Sequence, residues 1–292
     1  MSELFDMLSD LTDDFEDDSR DNVILRAPFG YPGGKDKSVV EIINKLPYRD
    51  TFVDVCGGSG IITLNRKKSK VLDVYNDRWS GVTCFFRMLR TNHDELRDSI
   101  NMAMHSREEF VYAKTHYEDI QLSDLERATL FYVMISHSFG KLGRNWARSL
   151  NSKVTFKRNY DVEYWRELHT RFSEVQIENL DWKNVLKDYD GPNTVFYIDP
   201  PYPYTDQSIY KHKFKNEDHI KLLDYVHHNV QGYVAVSSYK NDLYSKYPWD
   251  DIHVWPVKIT IDSKSSTDSG HREYKGQSAR EMFEILYIKE SK

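Results

Sequence analysis

The chain has 292 residues, room for one large α/β domain or for one such domain carrying a smaller insertion. Its sequence contains no apolar run long enough to span a membrane and no signal peptide, so a cytosolic protein is expected. Two cysteines without a Cys/His cluster around them exclude a disulfide framework and a structural zinc site, and the net charge of −6 has to be located before it says anything about partners.

Most of that charge sits at the start. Residues 1–22 hold nine acids against Arg20, so this segment carries −8 and the other 270 residues carry +2. The body is nearly neutral and neither demands nor excludes nucleic acid. Leu4, Phe5, Met7, Leu8, Leu11 and Phe15 fall at roughly helical spacing, but so acidic a stretch is expected to be a disordered, solvated arm. Next, Phe29 to Lys35 is a glycine- and proline-rich loop that opens a helix over Ser38–Leu46, ended by Pro47. Thr51–Val55 reads as a strand that runs into Cys56-Gly57-Gly58-Ser59-Gly60 and an apolar helix start at Ile61-Ile62. Val71–Tyr75 reads as a second strand with Asn76-Asp77 at its tip, and Val82–Leu89 as a helix. Strand, glycine loop, helix, strand and acid form the opening of a Rossmann-like unit.

From residue 92 to 170 the character changes. Charged helical segments run over Leu96–His105, Arg107–Tyr117 and Ser123–Ser138, the last opened by a capping-box pattern, Ser123-Asp124-Leu125-Glu126. A basic stretch follows, from Lys141 through Lys153 to Lys157-Arg158, then a helix over Val162–Phe172. Strand-like alternation returns at Glu174–Leu180, Val195–Ile198, Tyr233–Ser237, His253–Ile261 and Met282–Ile288. The simplest account is one α/β domain built from residues 23–91 and 171–292 and interrupted by a mostly helical insertion at 92–170.

Three local constellations carry chemistry. The loop Gly57-Gly58-Ser59-Gly60 lets backbone approach a ligand between Asp54 and Asp77, and a carboxylate at the position of Asp77 can take both hydroxyls of an adenosine ribose. No G-x-x-x-x-G-K-[ST] pattern is present, which disfavours ATP, and no full G-x-G-x-x-G, which disfavours NAD. Asp181-Trp182 offers an acid and an indole for an adenine ring, or else a helix N-cap followed by a packing Trp. Asp199-Pro200-Pro201-Tyr202 follows the strand ending at Ile198, where α/β folds place their ligands. It supplies an acceptor carboxylate, carbonyls held in fixed directions by proline, and a flat ring, the groups needed to grip the exocyclic amine of a nucleobase.

Taken in order, Tyr31-Pro32-Gly33-Gly34-Lys35, Phe52 to Gly60, Asn76-Asp77 and Asp199-Pro200-Pro201-Tyr202 resemble the Dam-type (D12 class, alpha group) DNA adenine-N6 methyltransferases. Tyr210, Phe214, His219 and Leu222-Leu223, then Ser237-Ser238-Tyr239 and Glu281 to Ile288, follow the family's later pattern, so the resemblance covers about residues 27–290. It implies a Rossmann-like class I methyltransferase fold, with a mostly parallel sheet, an antiparallel terminal strand, and the insertion as a DNA target-recognition domain. It implies S-adenosylmethionine as co-substrate and no metal. Asp77 would hold the donor's ribose and Asp181 with Trp182 its adenine. Tyr31, Lys35, Asp54 and the loop of Gly57, Gly58 and Gly60 would hold its methionine half, and Asp199 would also contact the donor. The partner implied is double-stranded DNA, met by a monomer or a transient dimer, in the cytoplasm of a bacterium or a phage-infected cell, for restriction-modification or phage and host DNA modification. A flipped-out adenine would stack on Tyr202 and donate its N6 hydrogen bonds to Asp199 and the Pro200 carbonyl, with Pro201 stiffening the loop. Lys141, Arg144, Asn145 and Arg148 would contact DNA. Two departures stand out. Cys56 occupies a place where the family usually has an aromatic residue, and Ser138 to Trp146 matches the recognition segment Phe-x-Gly-x-x-Arg-x-Asn only in part. Cytosine-N4 methylation is the nearest alternative chemistry, with Asp rather than Ser at position 199 favouring adenine, and a non-catalytic DNA-binding relative is the alternative of a different class.

Overall fold

The computed structural model describes residues 25–148, 161–205, 207, 210–261 and 278–292. The acidic arm of residues 1–22 and the basic run from Lys153 to Arg158 lie outside the described residues.

In chain order the elements are α1 (Val39–Ile43), β1 (Thr51–Asp54), α2 (Ile61–Asn65), β2 (Leu72–Asn76), α3 (Ser80–Thr91), α4 (His93–Met102), α5 (Arg107–His116), α6 (Asp124–Ser136), α7 (Val162–Phe172), β3 (Gln176–Glu178), α8 (Trp182–Asp188), β4 (Thr194–Ile198), α9 (Asn216–Asn229), β5 (Tyr233–Tyr239), β6 (Asp251–Ile261) and β7 (Ser278–Lys289). The strands form one sheet in the order β3-β2-β1-β4-β5-β7-β6, in which β7 runs against both of its neighbours and the other pairs are parallel. This is the mostly parallel sheet with an antiparallel terminal strand that the motif order implies.

The central strands are apolar because helices cover both faces of the sheet. Every residue of β4 is buried. On one face Phe52, Val195 and Tyr197 pack with Val39 and Ile42 of α1 and Ile61 and Ile62 of α2. On the other, Val53, Val74, Phe196 and Ile198 pack with Leu222, Leu223 and Val226 of α9. A third cluster joins Tyr75 of β2 to Phe85 and Phe86 of α3, Phe131 of α6, and Trp165 and Phe172 of α7. The helices between residues 92 and 172 thus stand on the sheet through α3 and share its apolar core. At the start of α6 both reciprocal bonds of the capping box between Ser123 and Glu126 are made.

One expected strand is much shorter than its pattern. Alternation suggested Glu174–Leu180, but β3 keeps only three residues. It is an edge strand paired with β2 alone, and beyond Glu178 the side chain of Asn76 captures the chain by accepting the Leu180 N–H at 2.8 Å. The Asn179 amide in turn donates to the carbonyl of Asp77 at 2.7 Å. Among the described residues, no helix is long and apolar enough to cross a membrane.

The connections leave β1 toward β2 on one side and β4 toward β5 on the other, so the crevice between β1 and β4 is the topological switch point of the sheet. Asp54 pairs in register with Tyr197, which brings Asp54 and Asp199 to the same end of neighbouring strands.

Candidate active site

Two adjoining cavities open at that end. The larger is a cleft of about 530 Å³, within the range of small-molecule sites, and the smaller holds about 110 Å³. Tyr31, Cys56, Asp199 and Tyr210 line both, so the two meet beside the Asp199 loop.

The glycine loop forms a floor because side chains would not fit there. A Cβ at Gly57 would lie 2.1 Å from the Tyr75 ring, and Gly58 has φ +52° under the ring of Tyr31. Tyr75 OH donates to Gly58 O at 2.6 Å, and Gly57 N–H donates to Asn76 O at 2.8 Å, tying the loop to β2. Gly60 lies outside both cavities and turns the chain into α2. Asp54, buried at the end of β1, accepts from Thr63 Oγ1 at 2.8 Å through Oδ2, while its Oδ1 has no partner. Burial is the main reason its pKa rises to about 7. The Thr63 hydrogen bond resists that rise, and the Asp199 and Asp77 carboxylates add to it.

Asp77 closes β2 and lines the smaller cavity. Its Oδ2 accepts from Gly58 N–H at 2.9 Å and its Oδ1 from Trp79 N–H at 2.7 Å. Burial pushes it up to about 6 despite those two bonds. Trp182 and Phe214 stand edge-to-face across the same cavity, with Leu180 beside them. Asp181 is outside both cavities. Its carboxylate accepts from Lys183 N–H as the N-cap of α8 and pairs with Arg78, so the helix-cap alternative is the one the geometry displays.

The Asp199 loop is held from below. His219 Nε2 donates to Pro201 O at 3.0 Å, and its Nδ1 lies 2.9 Å from Tyr244 OH. Burial lowers His219 to about 4, so the ring is neutral and the proton on Nε2 is fixed by the carbonyl. Gln207 Nε2 donates to the carbonyls of Tyr202 and Phe214 at 3.0 and 2.6 Å. Above the loop lies an ion cluster. Lys35 Nζ sits 2.6 Å from Asp199 Oδ2, 3.8 Å from Glu284 Oε1 and 2.8 Å from the Gly33 carbonyl. Tyr202 OH donates to Glu284, its ring packs edge-to-face with that of Tyr239 at a centroid distance of 4.6 Å, and the Lys35 ammonium lies 5.1 Å from its centroid. Tyr202 therefore lines the larger cavity with little of its surface free, 8% exposed. Asp199 Oδ1 is buried with no partner. Burial raises Asp199, and the nearby Lys35 ammonium together with the Tyr202 hydroxyl only partly offsets it. Burial alone would lower Lys35, but Asp199 and Glu284 outweigh that and hold its pKa above the ordinary value. Pro200 lines the larger cavity and Pro201 the smaller.

A family model described as D12 class N6 adenine-specific DNA methyltransferase matches residues 31–261. The chain belongs to that family. Modification methylase LlaI of Lactococcus lactis subsp. lactis is 28% identical over 194 residues, which is 62% of this chain and 30% of that protein. The chain thus spans less than a third of the length of the curated relative it matches. Among solved structures, a candidate rRNA-methylase from Clostridium thermocellum superposes with TM-score 0.37 at 10% identity, covering 86% of this chain and 95% of its own. A SAM-dependent O-methyltransferase from Thermotoga maritima gives TM-score 0.33 at 12% identity, covering 91% and 68%. Both superpositions are loose, and the strand order, not they, defines the fold.

In this D12-family chain the four residues expected to meet DNA lie on or beside one tight loop. Ser138 and Trp146 form a bridge, Phe139 N–H donates to Asn145 O at 2.7 Å, and Gly143 N–H donates to Ser138 Oγ at 2.7 Å. Lys141 spends its ammonium on the Ser136 carbonyl at 2.6 Å, and its stem covers Gly30, the residue before Tyr31. The loop is thereby seated next to the cavities. Arg144 is half-buried and its carbonyl accepts from Lys114 at 2.8 Å, while Asn145 and Arg148 are exposed. Sequence reasoning missed Glu284. The available signal was one acid inside the apolar run Met282 to Ile288.

Proposed function

We propose that the protein transfers the methyl group of S-adenosylmethionine to N6 of an adenine extruded from double-stranded DNA at a specific site. The observation that carries the reading is Asp199 Oδ1, a buried acceptor without a protein partner on a residue that lines both cavities. Buried acceptors are normally satisfied, so one left open beside a cleft points to a donor group on a ligand. The residues present fit the methyl donor. Each Asp77 oxygen already takes one backbone N–H and keeps a lone pair for a ribose hydroxyl. Trp182 and Phe214 suit an adenine ring. Asp54, with its open Oδ1, suits the ammonium of the methionine part.

The donor supplies a methyl on a positively charged sulfur: transfer forms the N6–C bond, breaks the S–C bond with its electron pair left on sulfur, and releases one N6 proton, giving N6-methyladenine, S-adenosylhomocysteine and H⁺. Asp199 Oδ1 and the Pro200 carbonyl accept hydrogen bonds from the amine, which localises the nitrogen lone pair toward the methyl. Asp199 receives the released proton and passes it to water. Its burial-raised pKa suits that role. Extruding the base costs a few kcal/mol. Because the Tyr202 ring is already held by Glu284, Tyr239 and Lys35, it offers the base an edge of the cleft wall rather than an open stacking face. In the insertion of residues 92–170, Arg144, Asn145 and Arg148 reach phosphate or base edges, and Lys141 holds the loop that carries them.

The test is transfer of tritiated methyl from S-adenosylmethionine to unmethylated DNA. Asp199→Ala is expected to lose about 10²–10³ in rate, the scale of one lost electrostatic contact to the reacting group, while donor affinity stays within about threefold. An Asp199→Ala protein that methylates as well as wild type would sink the mechanism.

A further inference from the structure

We propose that Glu284 is a positioning residue of the transfer site: with Asp199 it shares the Lys35 ammonium, and with Lys35 it pins Tyr202, so that one Asp199 oxygen is fixed and the other is presented to the incoming amine. The inference rests on the reading of Asp199 as the acceptor of that amine.

The cluster joins three distant parts of the chain: Lys35 from the first glycine loop, Asp199 from the end of β4, and Glu284 from β7. All three line the larger cavity. The hydrogens on Lys35 can be counted. One goes to Gly33 O and one to Asp199 Oδ2, and Glu284 Oε1, at 3.8 Å, is within ion-pair reach without a short hydrogen bond. Lys35 thus takes one Asp199 oxygen, while Oδ1 is buried without a hydrogen-bond partner beside the cavity.

The charge count gives Glu284 its purpose. Asp199 and Lys35 alone form a neutral pair, and an amine gaining positive charge would meet an acceptor already cancelled. A second carboxylate leaves the trio at −1 with both acids ionised, placed where the N6 charge develops. The other titratable groups facing the trio are Tyr31, Tyr197, Tyr202, Tyr210, Tyr239 and Tyr244, the last also raised mainly by burial, together with Cys56 and Asp54. Burial, first among the causes, raises the tyrosines and the thiol and keeps them neutral. Asp54 is the remaining carboxylate, and it is unchanged by a substitution at 284.

The experiment uses the full chain, tritiated S-adenosylmethionine and unmethylated genomic DNA, with single-turnover rates followed across pH and donor affinity measured by calorimetry. Glu284→Gln keeps the size of the side chain and an acceptor for Tyr202 but removes the charge. It is expected to slow transfer at least about tenfold and to move the acid limb of the rate profile down by about one pH unit, because Asp199 then has Lys35 to itself. Donor affinity is expected to stay within about threefold. Glu284→Asp, which keeps the charge, is expected to retain the wild-type acid limb. In the unmutated protein, carbon-13 NMR should show the Asp199 and Glu284 carboxyls titrating together, each reporting the other's inflection. A Glu284→Gln enzyme with wild-type rate and limb overturns the inference, and so do a Glu284→Asp limb that moves as far as that of Glu284→Gln or two independent titrations. Wild type that transfers no methyl at all overturns the reading of the site, a different result because it appears before any substitution is made.

Discussion

Replacing Asp54 by Asn removes a carboxyl that the fold holds in its interior with one oxygen open. In the unfolded chain this carboxyl ionises near 3.8, and in the folded protein, mainly through burial, at about 7. Between those values the native state keeps a proton that the unfolded chain has lost. The contribution of the group to stability is therefore full below pH 3.8, shrinks as pH rises, and is gone above about 7. From about pH 5 to about pH 8 the native group crosses roughly two units, which is about 3 kcal/mol. Asn fits the same space and still accepts from Thr63 Oγ1, so it keeps the local bond without the charge. Asp54→Asn is thus expected to gain about 3 kcal/mol on wild type as pH goes from about 5 to about 8. Urea denaturation of both proteins at several pH values measures the gap, and calorimetry with S-adenosylmethionine near pH 8 should show donor affinity falling at least about tenfold, as expected when a charged hydrogen bond is lost. The reasoning is refuted if the gap in stability is the same at both ends of the range, or if the variant is the less stable protein near pH 8.

Asp181→Ala should cost about 1 kcal/mol of stability through the lost cap of α8 and leave donor affinity unchanged, so a tenfold weaker donor would show that the carboxylate does reach the adenine. Gly57→Ala drives a methyl into the buried Tyr75 ring and is expected to destabilise by about 3 kcal/mol or more in urea melts; a neutral effect would mean that the loop is looser than its contacts. Arg148→Ala should weaken DNA binding at low salt and reduce the slope of log affinity against log salt by about one, the signature of a lost phosphate contact, while an unchanged slope would take Arg148 off the DNA.

Much of this architecture is written locally. The strand, the glycine loop and the acids after it follow from periodicity and steric demand between Thr51 and Asp77, and Val162–Phe172 falls where its helical spacing puts it. Asp181 follows a local rule that is legible in the sequence, since an acid directly before a helix caps it. Glu284 shows the opposite. An acid between Phe283 and Ile285 reads as a solvent-facing position of an alternating strand, yet it is buried, because β7 pairs Glu284 with Tyr239 on one side and Trp255 on the other. Nothing within a few residues of 284 encodes the approach of Lys35. The engagement of Tyr202 was hidden for the same reason, its hydroxyl partner lying on the last strand.

That last strand sets the order in which the protein can be made. β7 lies inside the sheet between β5 and β6, although it follows both of them in the chain. A growing polypeptide that has reached β6 cannot yet pair it with the sheet, because the strand that joins β6 to β5 has still to be synthesised. The cluster around Asp199 also waits for that strand, which brings Glu284. Pairings this distant in sequence are slow to form, since the loop closure has to be met before any contact rewards it. The trio of Lys35, Asp199 and Glu284 is thus complete only once residues 278–289 have paired along β5.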